Sequence, residues 1–326
     1  MKKILFASSA IAAVAFAGQA SASEPIKLSV GGYMEQWVGF ADQDIDAAGG
    51  RVNAFQSDTE VYFDGRTTLD NGIEIGAHIE LEGETSTDQV DEQFLFVNGG
   101  FGRIEMGKND SVADSMGITA PSVGPVNPSD GGTEDWANLT NVIDTVPSSG
   151  DQNRFSYFTP TMGGFRAGVS FADDSTQNDT VGSGDNIVSG AVTFNHDFDG
   201  VTLGVSVEGE NQADDNWYGA GVNVGFGNFT VGGSYGKVDP DVGKETDAFD
   251  LGVTYAMDAA SVSLSYAYQD DSKDNIENQG LSAGLVYTLG AGVSWQSSVF
   301  WFEEDKAGSA SDNDGFGAVT GLRLAF

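Results

Sequence analysis

Apolar and small or polar residues alternate along most of this chain with a period of two. In the run Val-Thr-Leu-Gly-Val-Ser-Val-Glu at 201–208, odd positions carry Val, Leu, Val and Val, and even positions carry Thr, Gly, Ser and Glu. Successive side chains of an extended strand point to opposite faces, so such a run makes a ribbon with one apolar and one wet side. The pattern returns at 73–82, 249–257, 262–269 and 281–289. A soluble β-sandwich also alternates, but its outer face carries charges of both signs. Here the polar face is Gly, Ser, Thr and acid, and 45 glycines suit strands and turns better than long amphipathic helices.

The connections alternate as well. Tight turns fall at 69–72, 98–101, 159–164, 197–200, 225–228, 257–260 and 289–292. Longer acidic loops lie between them near 41–56, 83–90, 109–150, 173–184, 210–215, 238–246, 270–277 and 303–314. Eight loops and seven turns join sixteen strands, with the turns on one side and the loops on the other. That is the layout of an outer-membrane β-barrel, whose outer band is apolar and whose lumen is polar. Closure is obligatory in hydrocarbon because an unpaired backbone group there costs several kcal/mol. Sixteen strands leave room for a water-filled channel. Tyr33, Trp37, Tyr255, Tyr287, Trp295 and Trp301 fall near strand ends, where interfacial aromatic girdles are expected.

Residues 1–22 read as a cleaved secretory signal: Lys2 and Lys3 precede an apolar run that ends in small residues. That run is shorter than the roughly 20 residues a membrane-spanning helix needs. The remainder, 23–326, reads as one barrel domain, interrupted at 109–150 by a loop rich in Pro and Gly. Loss of Lys2 and Lys3 leaves 12 basic residues against 49 acidic ones, a net charge of −37. Nucleic acid is excluded as a partner, since it demands clustered Lys and Arg. Cysteine is absent, so packing and hydrogen bonding must hold the fold.

Three segments resemble the Gram-negative general diffusion porins. They are Gly-Gly-Phe-Gly-Arg-Ile-Glu-Met-Gly-Lys at 99–108, Asn-Arg-Phe-Ser-Tyr-Phe-Thr-Pro-Thr-Met-Gly-Gly-Phe at 153–165, and a last strand ending on Phe326. The resemblance implies a homotrimer of 16-stranded barrels in the outer membrane, each with its third loop, 109–150, folded inward as a constriction. It also implies contact with lipopolysaccharide and outer-membrane lipid, with Phe326 as a signal to the barrel assembly machinery. In that family loop carboxylates face basic wall residues; Lys108, Arg154 and Arg66 are the candidates for the wall, and Asp110, Asp114, Asp130, Glu134 and Asp135 for the loop. Glu60 stands where many relatives carry an inward Arg. Together with Asp64, Glu74, Glu80 and Glu82, which share lumen parity, it makes the wall acidic.

The expected function is passive diffusion of small hydrophilic solutes and ions through a cation-preferring pore. No cofactor is expected. Asp42 to Asp46 opens like a calcium loop, but Ala47 and Asn53 break the EF-hand pattern, leaving structural Ca²⁺ at exposed carboxylates as an open possibility. His78 and His196 sit in no arrangement of nucleophile, base and orienter, so no enzyme is expected. The alternatives are a solute-selective outer-membrane channel, a surface-exposed β-rich adhesin or structural protein, and an outer-membrane hydrolase.

Overall fold

The computed structural model describes residues 25–45, 54–83, 89–129, 131–173, 186–212, 215–240, 243–308 and 312–326. The signal-peptide reading of 1–22 lies outside them. Sixteen strands follow in order. The first eight are β1 (Lys27–Gln43), β2 (Ala54–Thr68), β3 (Glu74–Glu82), β4 (Val90–Gly99), β5 (Gly102–Asn109), β6 (Gln152–Phe158), β7 (Phe165–Ala172) and β8 (Ile187–Asp197). The rest are β9 (Val201–Gln212), β10 (Asp215–Phe226), β11 (Phe229–Pro240), β12 (Thr246–Ala256), β13 (Ala260–Asp271), β14 (Ile276–Gly290), β15 (Val293–Lys306) and β16 (Asn313–Ala325). Each strand pairs antiparallel with its sequence neighbours, and β1 pairs with β16 to close the barrel. At the seam the amides of Gly32 and Phe326 each donate to the other's carbonyl at 3.0 Å.

The two faces follow the alternation. Val207, Leu251, Leu264 and Val299 are exposed outward, as lipid contact requires, while Ser206, Asp250, Ser263 and Ser298 beside them point inward and are buried. Buried polar side chains facing the middle of a barrel need something to bury them, and here it is the third loop.

Three acidic stretches read as long loops are in part strand. β9 and β10 leave only residues 213 and 214 between them, β11 and β12 leave 241–245, and β13 and β14 leave 272–275. Backbone pairing does not depend on side-chain polarity, so strands run on beyond the apolar band, where both faces are wet. Two of the girdle aromatics also sit elsewhere. Tyr33 and Trp37 share the parity opposite to Met34, Val38 and Phe40 and are buried inside; the Tyr33 hydroxyl donates to Asp58 at 3.0 Å. Tyr287 and Trp295 are exposed on the outer face.

Candidate pore constriction

The segment between β5 and β6 begins with a short helix, α1 (Val112–Met116), capped by the Ser111 hydroxyl accepting from the Asp114 amide at 3.2 Å. Most of the remainder has no regular secondary structure of its own. Its backbone groups therefore need partners, and the wall supplies them. Amides of Val112, Ala113, Ile118, Val123 and Val126 donate to the hydroxyls of Ser170, Ser189, Ser206, Ser263 and Ser298 at 3.0–3.3 Å. These serines step from β7 through β8, β9 and β13 to β15, so the loop runs along the inner wall. It returns at another level. Thr140 and Asn141 amides donate to the fully buried Glu304 at 2.7 and 3.3 Å, the Asp144 amide to Gln269 at 3.1 Å, and the Ser149 amide to Glu210 at 2.8 Å.

Asp250 joins the two passes. Buried on β12, it accepts from the Ala120 amide at 3.0 Å on the outward pass and from the Thr145 hydroxyl at 3.4 Å on the return. It also accepts from the Ser234 amide and hydroxyl at 2.5 and 2.7 Å. Apolar clusters reinforce the fastening: Val126 and Trp136 pack with Trp37, Phe300, Phe302 and Val319; Val112 and Met116 with Phe158; Val146 with Trp217; and Ile143 with Ala248 and Ala267. Each such large side chain contributes about 2 kcal/mol of burial. Gly221 and Gly284 let the loop approach closely, since a Cβ at either would overlap the carbonyl of Ile118 or Val123.

The fastened loop leaves a cavity of about 1790 Å³ inside the barrel. Asp110, Asp114, Glu134 and Asp135 line it from the loop, and Glu35, Asp58, Glu82 and Asp197 from the wall. Lys and Arg are absent from this lining among the described residues. Asp130 lies outside the described residues. The inner face of β2 and β3, eight strands around the ring from β10 and β11, carries the other wall acids. Tyr62 donates to Glu60, Asn98 to Glu74 at 3.0 Å, and His78 lies between Asp64 at 3.0 Å and Glu80 at 3.2 Å.

The basic candidates do not form a facing cluster. Lys108 pairs with Gln93 and Asn153 and, unlike the exposed Met106 and Phe155, is buried, its Nζ donating to the Val90 carbonyl at 2.6 Å. Arg154 points inward but is buried, donating to the Ser149 hydroxyl at 3.2 Å and the Gly150 carbonyl, so it clamps the loop's exit. Arg66 lies near the turn end of β2, level with Lys27 and Gly76. Three inward arginines were missed, and parity was the available signal: Arg323, for one, alternates with Leu322 and Leu324. Arg103 pairs with Glu105 over Phe96, Arg323 pairs with Glu35 over Tyr33, and Arg166 lies over Phe158 at 4.7 Å.

Crowding of acids shifts those outside the strands. Burial, then the charge of Asp151, pushes Asp110 up to about 6. Burial and the neighbouring Asp110 push Asp114 up to about 7, and burial with Glu92 pushes Asp151 up to about 7.

A closed sixteen-stranded barrel, apolar outside and narrowed by a loop fastened within, defines the class of transmembrane β-barrel channels. Comparison gives the family. Residues 7–307 match the Gram-negative porins, and the chain belongs to that family. It is an outer-membrane protein forming a passive channel, in a family and fold of channels rather than enzymes. Outer membrane porin protein 32 of Delftia acidovorans is 26% identical over 317 residues, covering 89% of this chain and 86% of that one. An anion-selective porin from Comamonas acidovorans superposes with a TM-score of 0.66 at 18% identity, over 94% of this chain and 100% of that one. The trimer form of OmpT from Vibrio cholerae superposes with a TM-score of 0.66 at 12% identity, over 93% and 100%.

Replacing Asp250 with Ala strands the amides of Ala120 and Ser234 and should cost roughly 3 kcal/mol. With both passes loosened, single-channel conductance in planar bilayers should rise and become noisier, whereas an unchanged conductance would show that Asp250 does not hold the loop.

Proposed function

We propose that the channel is a water-filled pore for small hydrophilic solutes that prefers cations. The observation that carries this reading is the lumen lining, which among the described residues holds eight carboxylates and no Lys or Arg; Glu35 is in an ion pair with Arg323, which lies outside that lining. Fixed charges of one sign on a narrow, low-dielectric wall raise the local concentration of the opposite ion. At physiological salt their field extends about 8 Å, enough to span a constriction. The Comamonas acidovorans porin is anion-selective, and at 18% identity its likeness to this chain is one of fold.

The reading extends to a homotrimer, as in the OmpT trimer form. It also includes lipopolysaccharide contact through divalent ions such as Ca²⁺ at exterior carboxylates, and engagement of the assembly machinery through the strand ending at Phe326. Family membership leaves the adhesin alternative without support.

In a salt gradient across a planar bilayer, the reversal potential should have the sign of cation permeation. The double variant Glu134→Gln, Asp135→Asn should reduce it; a potential of anion sign in the unmodified protein would refute the preference.

Carboxylates are charged above their pKa, so Asp110, Asp114 and Asp151 lose charge as pH falls through 7 to 5. Cation preference should therefore fall over that window. A pH-independent reversal potential between 8 and 5 would show that these groups do not face the ion path.

A further inference from the structure

His78, on the inner wall at β3, stands in an arrangement that an ion pair alone does not require. Pairing between β3 and β4 is interrupted by a bulge: Ile79 lies opposite Gln93 and Leu81 opposite Val90, so Glu80 alone faces both Asp91 and Glu92. An extra residue of this kind bends its strand and re-aims a side chain. One ring nitrogen of His78 and carboxylate oxygens of Glu80 and Glu92 come within 4.8 Å of one another. The imidazole is held from both sides, with the rings of Tyr62 and Phe94 at 5.8 and 5.2 Å. Its Nδ1 lies 3.0 Å from an Asp64 oxygen, directly across the β2–β3 pair, and its Nε2 lies 3.2 Å from Glu80. The His78 and Glu80 side chains are each 14% exposed, shielded but not sealed.

A carboxylate only accepts, so Asp64 fixes a proton on Nδ1. Nε2, the nitrogen left for Glu80 and Glu92, then carries either a second proton or a metal ion. A carboxylate on the remote ring nitrogen is a common partner of a metal-bound histidine, where it sets the tautomer and orients the ring. The spacing also suits a metal. Tetrahedral bonds of about 2.0 Å put neighbouring ligand atoms about 3.3 Å apart, and Nε2 and Glu80 are already at 3.2 Å. Rotation of the Glu92 side chain closes the third edge. A fourth position has space, because Glu92 and Phe94 line a cavity of about 270 Å³ under α1 that shares Asp110 and Ser115 with the lumen, which gives an ion its route in. We propose that His78, Glu80 and Glu92 bind a divalent transition-metal ion of the zinc type on the channel wall, with Asp64 orienting His78. Ca²⁺ and Mg²⁺ take all-oxygen ligand sets, whereas imidazole suits zinc and its neighbours. Binding releases any proton on Nε2 and leaves the one on Nδ1 in place.

The site does not depend on the ion preference of the pore, and the test keeps the two apart. The folded protein in detergent is stripped with EDTA, the EDTA is removed, and Zn²⁺ binding is measured by equilibrium dialysis in a large excess of Mg²⁺, which occupies the acidic loops. One Zn²⁺ per chain should bind, and X-ray absorption at the zinc edge should show one imidazole among its ligands. His78→Gln and Asp64→Asn should each weaken binding by about tenfold or more. His196→Gln, at an exposed histidine packed against Phe198, should leave it unchanged. Conducting channels in planar bilayers show that each variant has folded. Zn²⁺ held no more tightly than Mg²⁺, binding undiminished in His78→Gln or in Asp64→Asn, or a zinc edge without imidazole would each overturn the arrangement and leave His78 as an ion-pair partner of Asp64 and Glu80. A reversal potential of anion sign would instead refute the cation preference and leave the metal site standing.

Discussion

Every backbone amide and carbonyl removed from water must find a partner, and that demand shapes both halves of this molecule. In the strands it is met by neighbours around a ring closed at Gly32 and Phe326, so no sheet edge faces lipid. Inside the ring a long segment with little secondary structure of its own presents the same demand. It is met by hydroxyls and carboxylates of the wall, from Ser170 on β7 to Ser298 on β15. The interior of the protein is thus the contact between loop and wall, where the buried apolar clusters also gather.

That contact sorts the acids into two kinds. Asp250, Glu304 and Glu210 point inward but spend oxygens on loop amides, so they position the loop. Asp110, Asp114, Glu134 and Asp135 line the space the loop leaves open, opposite a wall that is itself acidic. Arginines are drawn into clamps and pairs: Arg154 on the loop exit, Arg103 on Glu105, Arg323 on Glu35. Charge in the pore follows from which side chains the fastening consumes.

Strand number, barrel closure and the position of the third loop were legible from period two and from the rhythm of turns, because both are local consequences of backbone geometry. The small polar face was legible too, although its meaning was not: the serines and glycines at 206, 221, 263, 284 and 298 are the imprint of a loop that lies on them. Lys108 is buried with its Nζ on the Val90 carbonyl, a partner 18 residues away that its place at a strand end did not reveal. The girdle expectation fails at Tyr33 and Trp37 because their parity, opposite to that of exposed Met34 and Val38, puts them inside the barrel. Which acids fasten and which line the lumen depends on contacts between distant residues, and no local pattern carries that.

The central claim is that the loop rests against the wall in the conducting state. Because the chain has no cysteine, a pair at Val126→Cys and Ser298→Cys, placed where the Val126 amide meets the Ser298 hydroxyl at 3.2 Å, tests it directly. Oxidation in the membrane should cross-link the pair and leave single-channel conductance as it was. Failure to cross-link, or a conductance that changes on oxidation and recovers on reduction, would show that the loop leaves the wall when the channel conducts.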